Sequence, residues 1–484
     1  MTLLKKLDEN ILKWLLIFFV FFIPLYPKFP FKIVNYTYVA IRLDDFFIAL
    51  ITGVFILQLL RNKIKLKDLH FLKPVLIFWG VIFLSLVSGL YITHTIDFPL
   101  VGFFNAFRRI EYMIVFFIAM SAIRTAKDFK FLMYALVVSL CFVDIYGIGQ
   151  RFFGFPAIQT MNPEYALGKI LYLTPEARIS STFAGHYDLA AYLVFLLPLL
   201  WGMFFYARQV ILLLLAVLSM LILTLTASRT SSIAYLISNS IFLLYFRKIR
   251  YFILIILLTI GFTYIDTDLL NRWLKTIQIK QILLNEQTGE RIVVQNITSD
   301  ELPAGTAFVK IKKDEDTTAS SLLKEELRIK ASLSGTLEAT EEAQYQTVSA
   351  VATDISIATR FQASWPRAIQ AFQKNPLLGS GPSSITESSD GDYFRWLGET
   401  GILGFSFFIY IIIMILKRLY DFKNKLASSA QMLVYGVIFG TIGLFINALL
   451  IDVFEASKVA YIFWFTLGIF VGLIYLNKNE LKRV

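Results

Sequence analysis

GSGPSS, Gly379 to Ser384, followed by SSDGDYFRWLGETGILGF, Ser388 to Phe405, is the stretch on which the reading of the fold turns. Small, polar and proline residues cannot carry a helix through the first segment. Soon afterwards the chain passes into Trp396, Leu397, Ile402, Leu403 and Phe405, the start of a long apolar run. A long polar loop ends here and a membrane span begins. A bundle that only relays a signal or conducts a solute does not need Asp, Arg, Glu and Gly massed at the water end of a span. The stretch suggests chemistry at a membrane surface.

The rest of the chain agrees with a membrane setting. It is 57% hydrophobic, 16% aromatic and only 17% charged, outside the usual soluble composition. Apolar runs of roughly the 17–25 residues a crossing needs recur along nearly its whole length. Spans are expected to begin at Ile11, Asp44, Lys73, Leu100, Phe129, His186, Gln209, Thr230, Tyr251, Trp396, Gln431 and Lys458. This predicts an all-α integral membrane protein of about twelve transmembrane helices. Residues 1–266 carry the first nine and residues 396–484 the last three. The first apolar run lacks a small-residue cleavage site and more spans follow it, so it is expected to be an anchor.

Positive charge sorts by loop, which predicts orientation. Arg61, Lys63, Lys65 and Lys67 follow span two; Arg124, Lys127 and Lys130 follow span four. Arg247, Lys248 and Arg250 follow span eight, Lys417, Arg418, Lys423 and Lys425 follow span ten, and Lys478, Lys482 and Arg483 close the chain. The intervening connections carry few cations. Both termini are therefore expected in the cytoplasm, with the alternate connections outside, in a multi-pass protein of the cytoplasmic membrane. The net charge of +11 is this topology signal plus attraction to anionic lipid, and it does not imply a nucleic-acid partner.

One outer connection dominates, residues 267–395 between spans nine and ten. It is expected to form a large extracytoplasmic cap, helical with a small β insert. LLNRWLKTIQIKQILL within 267–284 has an amphipathic helical pattern. RIVVQNIT and AFVKIKK flanking LPAGT suggest strands around a turn, and Asp314 to Ala352 suggests helix or disorder. Thr359 to Lys374 is again helical in pattern, with Arg360, Ser364, Arg367 and Ala371 on one face.

Several chemistries are excluded or disfavoured. Cys141 is the only cysteine, which excludes a disulfide framework or thiolate metal site. His70, His94 and His186 are too scattered for zinc, and no phosphate-loop motif is present. No metal and no cofactor is expected; Asp390-Gly391-Asp392 is the only close acidic alternative. No internal repeat relates the two halves, which lowers the expectation of a transporter.

Four segments together resemble the O-antigen ligase and polymerase family of bacterial membrane glycosyltransferases. They are Arg178 with STFAGHYDLAAYLVFLLPL, LTLTASRTS containing Arg229, Arg360 ahead of Trp365 running into NPLLGSGPSS, and DYFRWLGETGILGF. The match spans roughly Arg178 to Phe407, and the stretch from Leu284 to Ala352 lies outside it as a variable insert (about 284–352). Ligases of the family are similar in carrying a His eleven residues before a Gly that aligns with Gly401; here that position is Asp390. The departure turns the expectation toward a polysaccharide polymerase or a divergent glycan transferase.

The resemblance implies transfer of a polyprenyl-diphosphate-linked glycan to an acceptor hydroxyl on a glycan or lipid, as in cell-envelope polysaccharide or lipopolysaccharide biosynthesis. Membrane lipids and a chain-length regulator are the further partners it implies. A lipid-linked oligosaccharide flippase is the alternative. A diphosphate leaving group needs cations, and guanidinium suits that role because its planar fork binds phosphate oxygens in pairs. Arg178, Arg229 and Arg360 are the implied donor-binding residues, and all three fall on the outer side. Each could instead snorkel to headgroups. Asp390, Asp392 and Glu399 join Arg229 and Arg360 as catalytic candidates, a carboxylate accepting the acceptor's proton. Asp390 or Asp392 could equally cap span ten, and Arg395 with Glu399 could be only an i,i+4 pair. Gly398, Gly401 and Gly404 at steps of three suggest close helix contact. His186, Asp188 and Arg367 are placed to touch substrate. Arg42 with Asp44 and Asp45, and Arg108 and Arg109 with Glu111, are charges in apolar surroundings, which mark a site or a buried pair. Arg108 and Arg109 could bind diphosphate, pair with Glu111 or lie on an interfacial helix before the span.

Overall fold

A helix stands at each of the twelve places where hydropathy predicts a span. The computed structural model describes all residues except 1, 34–39, 65–68, 159–169, 175–176, 266–268, 270–276, 286–290, 294–306, 313–344, 354–359, 386–389, 477 and 482–484. They form two compact units, Met1–Leu270 with Trp365–Val484, and Asn271–Ser364.

The first unit is an all-α membrane protein. Its helices are α1 Thr2–Leu25, α2 Leu43–Leu60, α3 Leu69–Val87, α4 Pro99–Ala122, α5 Ala126–Phe152, α6 His186–Ala207, α7 Val210–Leu225, α8 Arg229–Tyr245 and α9 Ile249–Ile265. After the second unit come α10 Trp365–Lys374, α11 Asp392–Phe422, α12 Ser428–Asn447 and α13 Ser457–Ile474, with a last short turn, α14 Lys478–Leu481. Seven of these are long and apolar enough to cross a membrane. The segments Asn10–Leu25, Val210–Leu225 and Ile249–Tyr264 are apolar but shorter. A two-stranded ribbon, β1 Pro30–Ile33 with β2 Ala40–Arg42, joins α1 to α2. Pro156–Ala157 and Leu171–Tyr172 form a second small pair, β3 with β4.

α6 and α13 are buried nearly all round, as helices apolar on every face must be. α6 packs on α12 and α7, α4 on α13, and α3 on α11. Small residues make the closest approaches. A Cβ at Gly436 or Gly440 of α12 would run into the carbonyls of Pro198 and Phe195 on α6. One at Gly468 of α13 would strike Phe116 of α4. Without a hydrophobic drive between spans, such backbone contact supplies much of the association.

The two ends of the bundle differ. At one, Asp8 binds Arg61 at 3.0 Å and also pairs with Lys63, Lys13 reaches Asp128 at 2.8 Å, and Glu480 accepts the Ala126 amide at 2.8 Å. The basic connections thus share an end, as the loop charges predict. The other end gathers the starts of α2, α6, α8, α11 and α13.

α11 is broken where the sequence suggests only close packing. Gly401 has φ 63° and ψ −170° inside the helix. Into this break fits the Gly379–Ser384 loop: Ser380 and Gly381 donate to the carbonyls of Gly398 and Glu399, and Ile402 and Leu403 donate to those of Pro376 and Leu377. Of the three glycines, Gly398 does meet a neighbour, Ala368 on α10, but Gly401 makes the break and Gly404 faces its own Thr400. Gly391, φ 158°, stands at the N-cap of α11, so neither Asp390 nor Asp392 caps it.

The second unit departs most from expectation. β5 Ile277–Asn285, β6 Arg291–Val293, β7 Ala307–Lys312 and β8 Tyr345–Thr353 form one antiparallel sheet in the order β6-β5-β8-β7. The amphipathic helix expected through residue 284 is a strand from Ile277, because Ile-rich sequence suits either state and pairing with β8 decides. The strands around LPAGT exist but do not pair with each other; β7 lies on β8. Most of Asp314 to Ala352 lies outside the described residues, and its end is strand β8. The expected helix from Thr359 is a π turn, Arg360–Ser364, ahead of α10. A π turn thus replaces the regular α-helical turn that the pattern predicts there.

Candidate functional site

The connection between α12 and α13, Ile451 to Ala456, is the hub at the far end from the basic loops. Asp392, in the first turn of α11, accepts the amides of Val453 at 2.6 Å and Phe454 at 3.0 Å. Asp452 accepts from the Gly391 amide at 2.9 Å and pairs with Arg395 at 3.4 Å. One turn further along α11, Glu399 pairs with Arg109 of α4, whose Nε also reaches Glu455 at 2.8 Å. Arg109 and Glu399 are both buried, and the guanidinium lies 4.3 Å over the Trp396 ring. Glu399 also accepts the Ser383 amide at 3.3 Å, which ties it to the GSGPSS loop.

These pairings revise the expected ones. Arg395 and Glu399 each bind a partner on another element, so the i,i+4 pair is not their main interaction. Arg109 pairs with Glu399 and Glu455, not Glu111. Arg108 pairs with Asp45 at 3.5 Å, and its charge also acts on Glu111 one turn on.

Arg178 and Arg229 sit at the same end. Arg178 Nη1 lies 2.7 Å from His186 Nε2, and the next amide, Ile179, donates to Leu225 at the end of α7. Arg229 opens α8 after the tight turn Thr226–Ser228, whose Ser228 caps the helix through the Ser231 amide. Ser231 in turn donates to Asn447 at the end of α12 at 3.2 Å, next to Ala448, which accepts the Asp392 amide. A continuous chain of contacts thus joins the Arg178 and Arg229 segments to the acidic hub.

A third group was not singled out as a unit by the sequence. Lys458, at the start of α13, donates to the carbonyls of Pro24, Tyr26 and Thr182 at 2.7–2.8 Å. Two residues beyond Tyr26 is Lys28, and the ribbon pairs Pro30 with Arg42. Lys28 and Arg42 are 5% and 8% exposed. Asp44, Asp188 and Arg108 lie within electrostatic reach of Lys28. Burial, then the Arg42 guanidinium, pushes the Lys28 ammonium down to about 8.

Asp390, Asp392, Glu399, Arg178, Arg229, His186 and Asp188 therefore all belong to one end of the first unit. Asp390 has φ 48° and its carbonyl accepts the Trp365 indole at 3.2 Å. Arg367 is exposed on α10. Arg360 is buried, but it belongs to the second unit and is described with it. Asp452, Glu455, Lys28 and Lys458 escaped sequence reasoning as site residues. Their signal was the charged run DVFEASK opening a span, and a lone Lys between two prolines. Among the described residues, no group of three or more His, Cys, Asp or Glu could hold a metal ion. No protein-family model matches this chain, and no curated protein matches it in sequence.

Proposed function

We propose that the chain is a multi-pass glycosyltransferase of the cytoplasmic membrane, polymerase-like or ligase-like, with about twelve spans and both termini cytoplasmic. It moves a polyprenyl-diphosphate-linked glycan onto an acceptor hydroxyl at the outer face, and the long connection before α11 caps that face. The observation that carries this reading is the collection of cationic side chains from separate elements, Arg178, Arg229, Lys28, Arg42 and Lys458, at the end opposite the basic loops. A leaving diphosphate needs such a field. Arg178 and Arg229 hold the donor. Among the catalytic carboxylates, Asp392 is taken up by two amides and Glu399 by Arg109. Asp390, at the position where the ligases this chain resembles carry a His, is the base that orients the incoming hydroxyl.

The test is incubation of purified protein with a polyprenyl-diphosphate-linked repeat unit. A ladder of longer products supports polymerisation, and a single transfer to an added acceptor supports ligation. Absence of any new glycosidic bond with either acceptor refutes both. The break at Gly401 favours a second reading, a lipid-linked oligosaccharide flippase, because discontinuous helices recur in carriers. Translocation in proteoliposomes without bond formation would select it.

A further inference from the structure

Lys28 and Arg42 are buried cations. Among the described residues, neither makes a salt bridge, and Arg42 Nε is a buried donor with no acceptor. The nearby cations are otherwise engaged: Lys458 by three carbonyls, Arg108 by Asp45. Two adjacent like charges held out of water are costly unless an anion joins them. Beside them, Asp44 Oδ1 is a buried acceptor with no donor. Its charge acts on both Lys28 and Arg42.

A ligand completing this group must accept from a guanidinium Nε–H and an ammonium and must donate to a carboxylate. Chloride and carboxylates accept but do not donate. A phosphodiester has lost its hydroxyls. A terminal phosphate, with one P–OH retained, does all three. We propose that Lys28, Arg42 and Asp44 form a binding site for a terminal phosphate group, at the membrane end where α1, the β1–β2 ribbon and α2 meet. Its sources are a polyprenyl diphosphate released from its glycan or a phosphomonoester lipid. The site goes beyond the motif arginines; where its ligand is the released diphosphate it rests on the proposed transfer reaction, and where it is a phosphomonoester lipid it does not.

The experiment uses full-length protein in phosphatidylcholine nanodiscs, titrated with inorganic pyrophosphate and followed by thermal unfolding and isothermal titration. The wild type is expected to bind, and Lys28→Gln or Arg42→Gln to weaken binding by about tenfold or more, the scale of one charge-assisted contact. Lys28 is faced by Arg42, Asp44, Asp188, Arg108 and Lys458 and loses its proton near pH 8. Lys28→Arg should bind like the wild type at about pH 6, where the terminal phosphate still holds a proton, which also controls for misfolding. Binding should fade by about pH 9.5 as the P–OH and Lys28 lose their protons. Phosphatidic acid in the disc should compete if a lipid monoester is the natural ligand, and phosphatidylglycerol, a diester, should not. Failure of phosphatidic acid to compete assigns the site to a diphosphate. No binding by the wild type, or equal binding by Lys28→Gln and Arg42→Gln, overturns the proposal. Arg229→Gln, lacking transfer but still binding pyrophosphate, would separate this site from the transferase reading.

Discussion

The clasp around Asp452 to Glu455 and the cation pair Lys28–Arg42 lie at the same end of the bundle and carry comparable charge, yet they are built differently. In the clasp every carboxylate has an answer: Asp392 holds two amides, Asp452 an amide and Arg395, and Glu399 and Glu455 share Arg109. Around Lys28 and Arg42 the charges remain partly unanswered. The clasp leaves Asp392 Oδ1 and Arg109 Nη1 without a partner, but each of its charged groups is held by at least one other, whereas Lys28 and Arg42 have no salt bridge among the described residues. A charge held by its partners fixes architecture, and one without them waits for a ligand. Conserving chemistry type alone does not separate the two; partner geometry does.

The sharpest way to break that contrast is to open the clasp. Arg109→Ala leaves Glu399 buried without its cation and should destabilise the protein by about 3–5 kcal/mol. Thermal unfolding in detergent checks this. A loss under about 1 kcal/mol would mean the clasp is as incomplete as the cation pair, and the distinction would fail.

Arg229→Gln tests the other side. It should leave the unfolding midpoint close to wild type, since surface-end substitutions usually fall within about 0.5 kcal/mol. Transfer from a polyprenyl-diphosphate donor should fall by about 10²-fold, the usual loss when one transition-state donor is removed. A variant that unfolds early but turns over normally would move Arg229 to the architectural class.

What the sequence reveals follows the same line. Hydropathy locates twelve of the described helices of the first unit because apolar character is a local property of a run of residues. Asp392, Glu399 and Arg178 stand out for the same reason, as charges next to apolar runs. The pairing of Arg109 with Glu399 joins residues 290 positions apart, and no local pattern encodes it. Asp392 looks like a cap until Gly391 takes the N-cap position. The strand β5 looks helical because its partner β8 lies about sixty residues on. Lys28 has no motif at all; only the ribbon brings it to Arg42.

Gly401→Ala is expected to cost about 1–3 kcal/mol, the scale of a strained backbone held by its surroundings. Its φ of 63° disfavours a Cβ, which would also strike the Leu377 carbonyl. Gly404→Ala, whose Cβ meets only the Thr400 side chain of its own helix, should cost less. Equal unfolding midpoints for the two variants would show that the break is not what seats the GSGPSS loop.

The last test comes from pH and bears directly on Lys28. Its folded pKa lies at about 8, below the ordinary 10.5 it has when unfolded. Below pH 8 the folded protein carries the full cost of a buried cation. Between about pH 8 and 10.5 the folded form has released the proton that the unfolded chain still binds, so stability rises with pH across this window. The slope contributed by one proton is at most about 1.4 kcal/mol per pH unit. Lys28→Met should remove that rise, seen as a difference between the two pH profiles of unfolding measured without phosphate. A wild-type profile that instead falls through the window, relative to Lys28→Met, would mean Lys28 already has a counter-ion in the folded protein. Lys28 would then belong with the clasp.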